Sequence, residues 1–211
     1  MDNWTIAASL ATAAGTLVLA AATFAAVRSA NRAARATERA LLAGIRPVLV
    51  PSRLEDPPEK VGFMDDHWVH VPGGRGVAEV TEDAVYLAMA LKNVGSGLAV
   101  LDRWDFQLIE RQSLEQTHRD PEVFRRLSRD IYVPAGDLGF WQGAFRDSHD
   151  PHFAIARDAV NEGLHLTVDL LYRDHEGGQR MISRFTMIPN QSGQWITSVG
   201  RHWNLDRGDP R

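Results

Sequence analysis

The chain contains no cysteine, and only two of its 23 basic residues are lysines, Lys60 and Lys92. The lack of cysteine excludes disulfides, thiolate zinc sites and cysteine nucleophiles. The Gly-x-Ser-x-Gly elbow of serine hydrolases is also missing, and the glycine-rich residues 73–76 lack the Gly-Lys-Ser/Thr ending of a phosphate-binding loop. These absences remove the support for several enzyme classes and predict a flexible turn at residues 73–76.

Charge is absent from residues 4–27, a stretch of 24 residues. As a helix this stretch would be about 36 Å long, enough to cross a hydrocarbon core of about 30 Å with some tilt. Ten of its residues are alanines, so its hydrophobicity is marginal. Trp4 lies at its start, where an indole ring favours the headgroup region. Residues 4–27 are therefore predicted to form a single transmembrane helix.

Five arginines follow this stretch within nineteen positions: Arg28, Arg32, Arg35, Arg39 and Arg46. Basic residues beside a span favour the cytoplasmic side, so residues 1–3 should lie outside the cell and the remainder in the cytoplasm. The rival interpretation is a cleaved signal peptide, which is disfavoured because the first residues include an acid instead of a basic region. An exported and anchored domain is the corresponding alternative for the remainder of the chain.

Residues 28–44 are rich in good helix formers and end at Gly44, which predicts a helical stalk. Its arginines Arg28, Arg32, Arg35 and Arg39 lie either against anionic headgroups at the membrane interface or on a solvated face. Within the span, Ala7, Ala11 and Gly15 are spaced four apart, and this spacing would let a second helix approach closely. A homo-oligomer or a membrane protein partner is one interpretation, and chance spacing in an alanine-rich helix is the other.

Residues 45–205 suit one domain, and residues 206–211 are predicted to be a flexible tail. Without the first 44 residues the chain carries 19 basic and 25 acidic residues, a formal charge of −6. This acidic balance disfavours nucleic-acid binding, which needs a basic face. The expected partners are the lipid bilayer and a membrane or cytoplasmic protein, with no cofactor.

Alternating apolar residues predict strands throughout this domain. Residues 85–91 form a core strand pattern, and residues 164–172, a turn at 174–178 and residues 181–188 predict a hairpin. Further strands are predicted at residues 45–50, 67–71, 100–110, 131–133, 138–145 and 195–203, and short helices at 118–128 and 151–160. The fold class is mainly β: a transmembrane helix and helical stalk, then an antiparallel immunoglobulin-like β-sandwich with one or two short helices.

Several local motifs carry a family resemblance. They are a strand opening on Arg46-Pro47-Val48, the turn Lys92-Asn93-Val94-Gly95-Ser96-Gly97, and Leu171-Tyr172-Arg173-Asp174 with Gly177-Gly178. Together with the N-terminal span and stalk, they make most of the chain resemble the small membrane-anchored β-sandwich proteins common in actinobacteria. This resemblance implies a membrane-anchored β domain and supplies no catalytic residues.

The strongest candidate for chemistry is a loop with two imidazoles and two carboxylates: Asp147, His149, Asp150 and His152. These groups could bind a divalent metal if a turn brought them together, but no distant third ligand is evident. The other histidine pair, His67 and His70, should point to opposite faces of a strand. The tryptophans at 68, 104, 141, 195 and 203 favour core packing over ligand stacking.

The sequence therefore predicts a single-pass membrane protein whose cytoplasmic β-sandwich is an interaction or sensing module that binds through a sheet edge or a loop surface. The alternative is a metal-dependent or small-ligand enzyme centred on His149 and His152.

Overall fold

The computed structural model describes residues 2–108 and 117–206, without the side chains of Asp2, Asn3 and Thr5. It contains two compact units that divide between Gly44 and Ile45. The predicted tail lies, apart from Asp206, outside the described residues, as do the last two residues of the strand predicted at 100–110.

The first unit is one helix, α1 (Asp2–Gly44), of 43 residues. Its apolar part is long enough and apolar enough to cross a membrane, and a signal sequence near the N-terminus can meet the same two criteria. The hydroxyl groups of Thr12, Thr16 and Thr23 each donate to the carbonyl four residues earlier, at 2.8–2.9 Å. Within hydrocarbon, these bonds would satisfy the polar side chains inside the helix itself.

The second unit is an antiparallel β domain, as the alternating patterns predicted. Its strands are β1 (Leu49–Pro51), β2 (Glu59–Gly62), β3 (Trp68–Val71), β4 (Arg75–Val80), β5 (Val85–Asn93), β6 (Ala99–Gln107), β7 (Arg125–Val133), β8 (Leu138–Phe145), β9 (Leu166–Arg173), β10 (Arg180–Pro189) and β11 (Trp195–Asn204). The predicted hairpin is β9–β10, and the helix predicted at 151–160 is α2 (Pro151–Asn161).

Nine of the strands form one sheet that curls into a half-barrel, in the order β1-β5-β4-β11-β10-β9-β6-β7, with β8 also on β5. This differs from the expected immunoglobulin-like sandwich, in which two separate sheets pack face to face. β5 has three partner strands, because it pairs with β8 on one side and with both β4 and β1 on the other. A strand shared in this way links what would otherwise be two sheets.

The core fills the inside of this curled sheet. Phe153, Ala156 and Ala159 of α2 pack into it beside the inward-facing residues of β5, β8 and β9. The hairpin β2–β3 covers the outer face of β5, so Tyr86, Ala88 and Ala90 are buried as well. The alternation in β5 had suggested one buried face, and the hairpin makes both faces buried.

The helix predicted at residues 118–128 was wrong. Only Pro121–Val123 is helical, as a short 3-10 turn, and Phe124 is already extended, with ψ of 141°. Phe124 is buried in a small outer cluster with Leu171, Ile182 and Trp203. Burial against these distant residues outweighs the local helical spacing, and β7 follows at Arg125.

The turn after β5 depends on one buried side chain. The Asn93 amide donates to the carbonyl oxygens of Gly97 (2.7 Å) and Val133 (2.9 Å). Its oxygen accepts from the backbone N–H groups of Val48 and Gly95. A Cβ on Gly97 would lie 1.8 Å from the Ile45 carbonyl oxygen, so this close approach requires glycine. Through these hydrogen bonds, the turn motif in the sequence connects the ends of β1, β5 and β7.

Candidate functional site

The loop before α2 holds the metal-site candidates of the sequence, and its carboxylates act in backbone capping. Asp150 is the N-cap of α2 and accepts from the backbone N–H of His152 at 2.9 Å. Asp147 accepts from the backbone N–H of His149, also at 2.9 Å. The Asp-Pro pair at a helix start is therefore explained by capping.

The two imidazoles of this loop have different surroundings. The His149 side chain is 95% exposed, whereas His152 stacks on Phe145 with ring centroids 6.3 Å apart. Arg125 of β7 donates to Asp150 and lies 3.2 Å from the His152 Nδ1 atom. Burial alone would raise the pKa of Asp150, but the hydrogen bonds from His152 and Arg125 outweigh it and hold the pKa below its usual value.

Across the described residues, no group of three or more His, Asp or Glu side chains is arranged to hold a metal ion. The loop has the geometry of a capped helix start with one arginine counter-ion. The residues concerned are Asp147, His149, Asp150 and His152. The partner of Asp150, Arg125, lies 25 residues away in the sequence, so no local pattern could have identified it.

A second polar cluster lies at the turn between β2 and β3. The Asp65 carboxylate accepts from the Tyr86 hydroxyl at 2.6 Å and from Arg146 Nε at 2.8 Å. Beside it, His67 stacks on Tyr86 with centroids 4.0 Å apart and contacts Glu79 at 3.0 Å. This cluster ties the β2–β3 hairpin to the sheet.

The ionisation of this cluster follows from its contacts. The hydrogen bond from Arg146 holds the pKa of Asp65 far below its usual value. Burial raises the pKa of Tyr86, and the neighbouring Asp65 carboxylate raises it further. At neutral pH the phenol therefore stays protonated and donates to an ionised carboxylate.

We expect the Asp65→Asn substitution to lower the free energy of unfolding at pH 7 by about 1 kcal/mol or less, because the side chains of the ion pair, Asp65 and Arg146, are both partly exposed. The folded pKa of Asp65 lies below the unfolded value of about 3.9, so its stabilisation is complete above that unfolded value and is lost progressively as the pH falls from there through the folded pKa. Urea unfolding of the full chain between about pH 2.5 and 7 measures this.

The difference between this variant and the parent should shrink below about pH 4. The exposed Asp83→Asn variant is the matched control and should equal the parent at every pH. A difference that persists unchanged at the lowest pH would contradict the assignment.

A groove of about 260 Å³ lies where β4 and β11 separate. The ladder between these strands contains only two residue pairs, Gly76 with Trp195 and Arg75 with Ile196. Gly76 permits this contact, because a Cβ there would lie 2.5 Å from the Met187 side chain. Residues of β3, β4 and the two turns β3–β4 and β10–β11 complete the lining of the groove: His70, Pro72, Val77, Ala78, Glu79, Gly193 and Gln194.

Arg75 and Glu79 bring opposite charges to this groove. The Nη1 atom of Arg75 is buried and has no hydrogen-bond partner in the part of the chain that the structure describes. The glycine-rich segment that precedes it is packed, with the Gly74 N–H donating to Ser52 at 2.9 Å and Thr197 donating to the Gly74 carbonyl at 3.0 Å. The turn at residues 73–76 was predicted to be flexible, but it is held by these hydrogen bonds and leads into β4.

A third charged group is buried on the outer face of β9 and β10. Arg184 donates from Nε and Nη2 to the two oxygens of Asp169, at 2.7 and 2.6 Å. Asp169 is 1% exposed, and the Arg184 guanidinium stacks on Trp203 with 5.0 Å to the ring centroid. Because Asp169 is closed off from solvent, this pair has a structural function.

Core packing was predicted for five tryptophans, and Trp68 departs from it. Trp104, Trp141, Trp195 and Trp203 are buried. Trp68 is 55% exposed and lies across Gly62, with the Lys60 ammonium 4.7 Å from its ring centroid. Four of the five predicted positions thus serve packing.

No family model matches this chain, and neither a curated protein nor a solved structure matches it. The resemblance to actinobacterial membrane-anchored β-sandwich proteins stays a prediction.

Proposed function

We propose that this chain is a single-pass membrane protein with its N-terminus outside the cell, whose cytoplasmic β domain is an interaction or sensing module. One observation carries the proposal: a continuous helix of 43 residues joins an uncharged segment to a basic one. The uncharged segment supplies the anchor, and the arginines supply the orientation.

The arginines lie on one side of α1. Arg28, Arg32, Arg35 and Arg39 follow at spacings of four, three and four, so at about 100° per residue they fall within an arc of about 60°. They extend over about 16 Å of helix length. The arginines nearest the span can contact anionic headgroups, at roughly 1 kcal/mol each.

The interaction function is supported by the chemistry of the β domain. In the described ranges, the loop around His149 has the geometry of a helix cap, and the groove beside β4 combines backbone edge with one unpaired arginine nitrogen. The groove is smaller than pockets that enclose drug-sized ligands, which are about 300–1,000 Å³. These features favour recognition of another chain over catalysis.

A membrane partner is a further part of the proposal. Ala7, Ala11 and Gly15 form a small-residue face on α1, against which a second transmembrane helix could pack. A second copy of the chain is the simplest such helix.

The orientation is tested with two single-cysteine variants, Asp2→Cys and Glu176→Cys, because the natural chain has no cysteine to react. Intact cells are treated with a membrane-impermeant maleimide. We expect Asp2→Cys to be labelled and Glu176→Cys, in an exposed turn of the β domain, to be labelled only after permeabilisation. Labelling of both variants in detergent is the control.

Labelling of Glu176→Cys on intact cells would overturn the cytoplasmic location and favour an exported, anchored domain. Recovery of a shortened chain that lacks residue 2 would favour a cleaved signal peptide.

A further inference from the structure

The outer side of β4 is open over part of its length. β4 pairs with β5 along residues 76–80, but with β11 only at Arg75 and Gly76. Within the described parts of the chain, residues 77–80 therefore have a strand on one side only. Such an edge presents backbone N–H and C=O groups that can pair with another chain.

The register identifies the open backbone groups. The Thr81 N–H donates to the Ala84 carbonyl at 2.8 Å, which makes these two residues a hydrogen-bonded pair at the hairpin end. Because an antiparallel ladder alternates, Glu79 and Val77 direct their backbone groups toward β5, and Val80 and Ala78 direct theirs away. Ala78 and Val80 thus offer two N–H groups and two carbonyls in the spacing that a new strand requires.

Two other edge strands of the sheet, β7 and β1, carry features that discourage pairing. The edge strand β7 bears Arg125, Arg126, Arg129 and Asp130 and has an irregular register, and β1 is three residues long and ends in proline. Charges, irregularity, prolines and short length are the usual protections of an edge. Residues 77–80 are Val, Ala, Glu and Val, and only Glu79 is charged.

The groove beside this edge specifies the chemistry of an added strand. Arg75 lines this groove as a partly buried residue, and its Nη1 atom has no hydrogen-bond partner among the described residues, so its guanidinium lacks an acceptor. A carboxylate suits a guanidinium best, because it can accept two parallel hydrogen bonds. Glu79 also lines the groove, but its carboxylate contacts His67 at 3.0 Å.

We propose that the open edge of β4 binds an extended peptide segment of a partner protein as an added strand, with one Asp or Glu side chain of that segment on Arg75. This deepens the interaction function proposed above and rests on it. The formal charge of −6 on residues 45–211 would repel a polyacidic run, so a single carboxylate among β-branched residues fits best.

The probe is an acetylated and amidated octapeptide of alternating valine and threonine with one central glutamate, and its twin carries glutamine instead. Binding to the full chain in detergent micelles is measured by fluorescence anisotropy of the labelled peptides. We expect the glutamate peptide to bind at least roughly tenfold more tightly than its twin, because only a carboxylate can neutralise Arg75.

The Arg75→Gln variant should remove that preference, whereas Arg126→Gln, at an exposed position of β7, should keep it. The Ala78→Pro variant removes one outward N–H and should abolish binding of both peptides. Because this proline could also unfold the domain, amide hydrogen exchange of the parent chain provides a second measurement. The glutamate peptide should slow exchange at Ala78 and Val80.

Equal binding of the two peptides, or no change in exchange at residues 77–80, would overturn the proposal. Self-association of the full chain that the Ala78→Pro variant removes, without peptide binding, would overturn it in favour of a second copy. A failure of the added-strand proposal can be distinguished from a failure of the proposed function. The maleimide experiment reports the location of the domain independently of peptide binding.

Discussion

Replacing Asp169 with alanine is expected to lower the free energy of unfolding by about 3–5 kcal/mol, because it leaves a buried guanidinium without its counter-ion. Asp169 is 1% exposed and accepts two hydrogen bonds from Arg184. Urea unfolding of the full chain in detergent, followed by tryptophan fluorescence, measures the loss. The pair of Arg103 with the exposed Glu122 provides the control, and Glu122→Ala should cost less than about 1 kcal/mol.

The double replacement Asp169→Leu with Arg184→Met should recover most of that loss. Burial raises the pKa of Asp169 even though Arg184 donates two hydrogen bonds to it. The interior therefore disfavours the charged carboxylate overall, and the ion pair contributes little net stability compared with apolar side chains of similar size. A single Asp169→Ala variant that loses less than about 1 kcal/mol would contradict this account.

An arginine introduced at Thr16, near the middle of residues 4–27, is expected to release the chain from the membrane. A charge at the centre of a span costs about 2.5–3.5 kcal/mol, and the ten alanines leave little hydrophobic surplus to offset it. The measurement is the fraction of chain that stays with the membrane pellet after alkaline carbonate extraction.

The matched control is Ser29→Arg, which adds the same charge beyond the uncharged segment and should leave the pelleted fraction unchanged. Equal membrane retention of the Thr16→Arg variant and the parent would show that residues 4–27 do not anchor the chain.

Patterns that depend on near neighbours were predicted well. The helix at 151–160, the strand at 85–91 and the hairpin at 164–188 agree with the structure, because helical and strand periodicity report which side of a segment is apolar. The prediction at 118–128 was wrong because Phe124 is buried against strands far along the chain. An immunoglobulin-like sandwich was expected from the strand count alone, which contains no information on strand pairing.

The same contrast between local patterns and long-range contacts applies to the candidate functional site. A cluster of His and Asp within six residues suggested a metal, yet Asp150 serves as a helix cap and pairs with Arg125. The groove beside β4 was missed because its lining comes from two segments, residues 70–79 and 193–195, that are more than a hundred residues apart. The unpaired nitrogen of Arg75 has no counterpart in the sequence pattern, since partners across a sheet are not encoded by spacing.

Four features could be predicted from the amino-acid sequence: the long apolar helix, its arginine face, the lack of thiol chemistry and the antiparallel β character of the rest. Each depends on composition or on a period of a few residues, which any single segment contains. Three features became visible only in the folded structure: the curl of the sheet, the burial of Asp169 with Arg184, and the open edge of β4. Those features arise where distant segments meet, because burial and hydrogen bonding depend on neighbours in space.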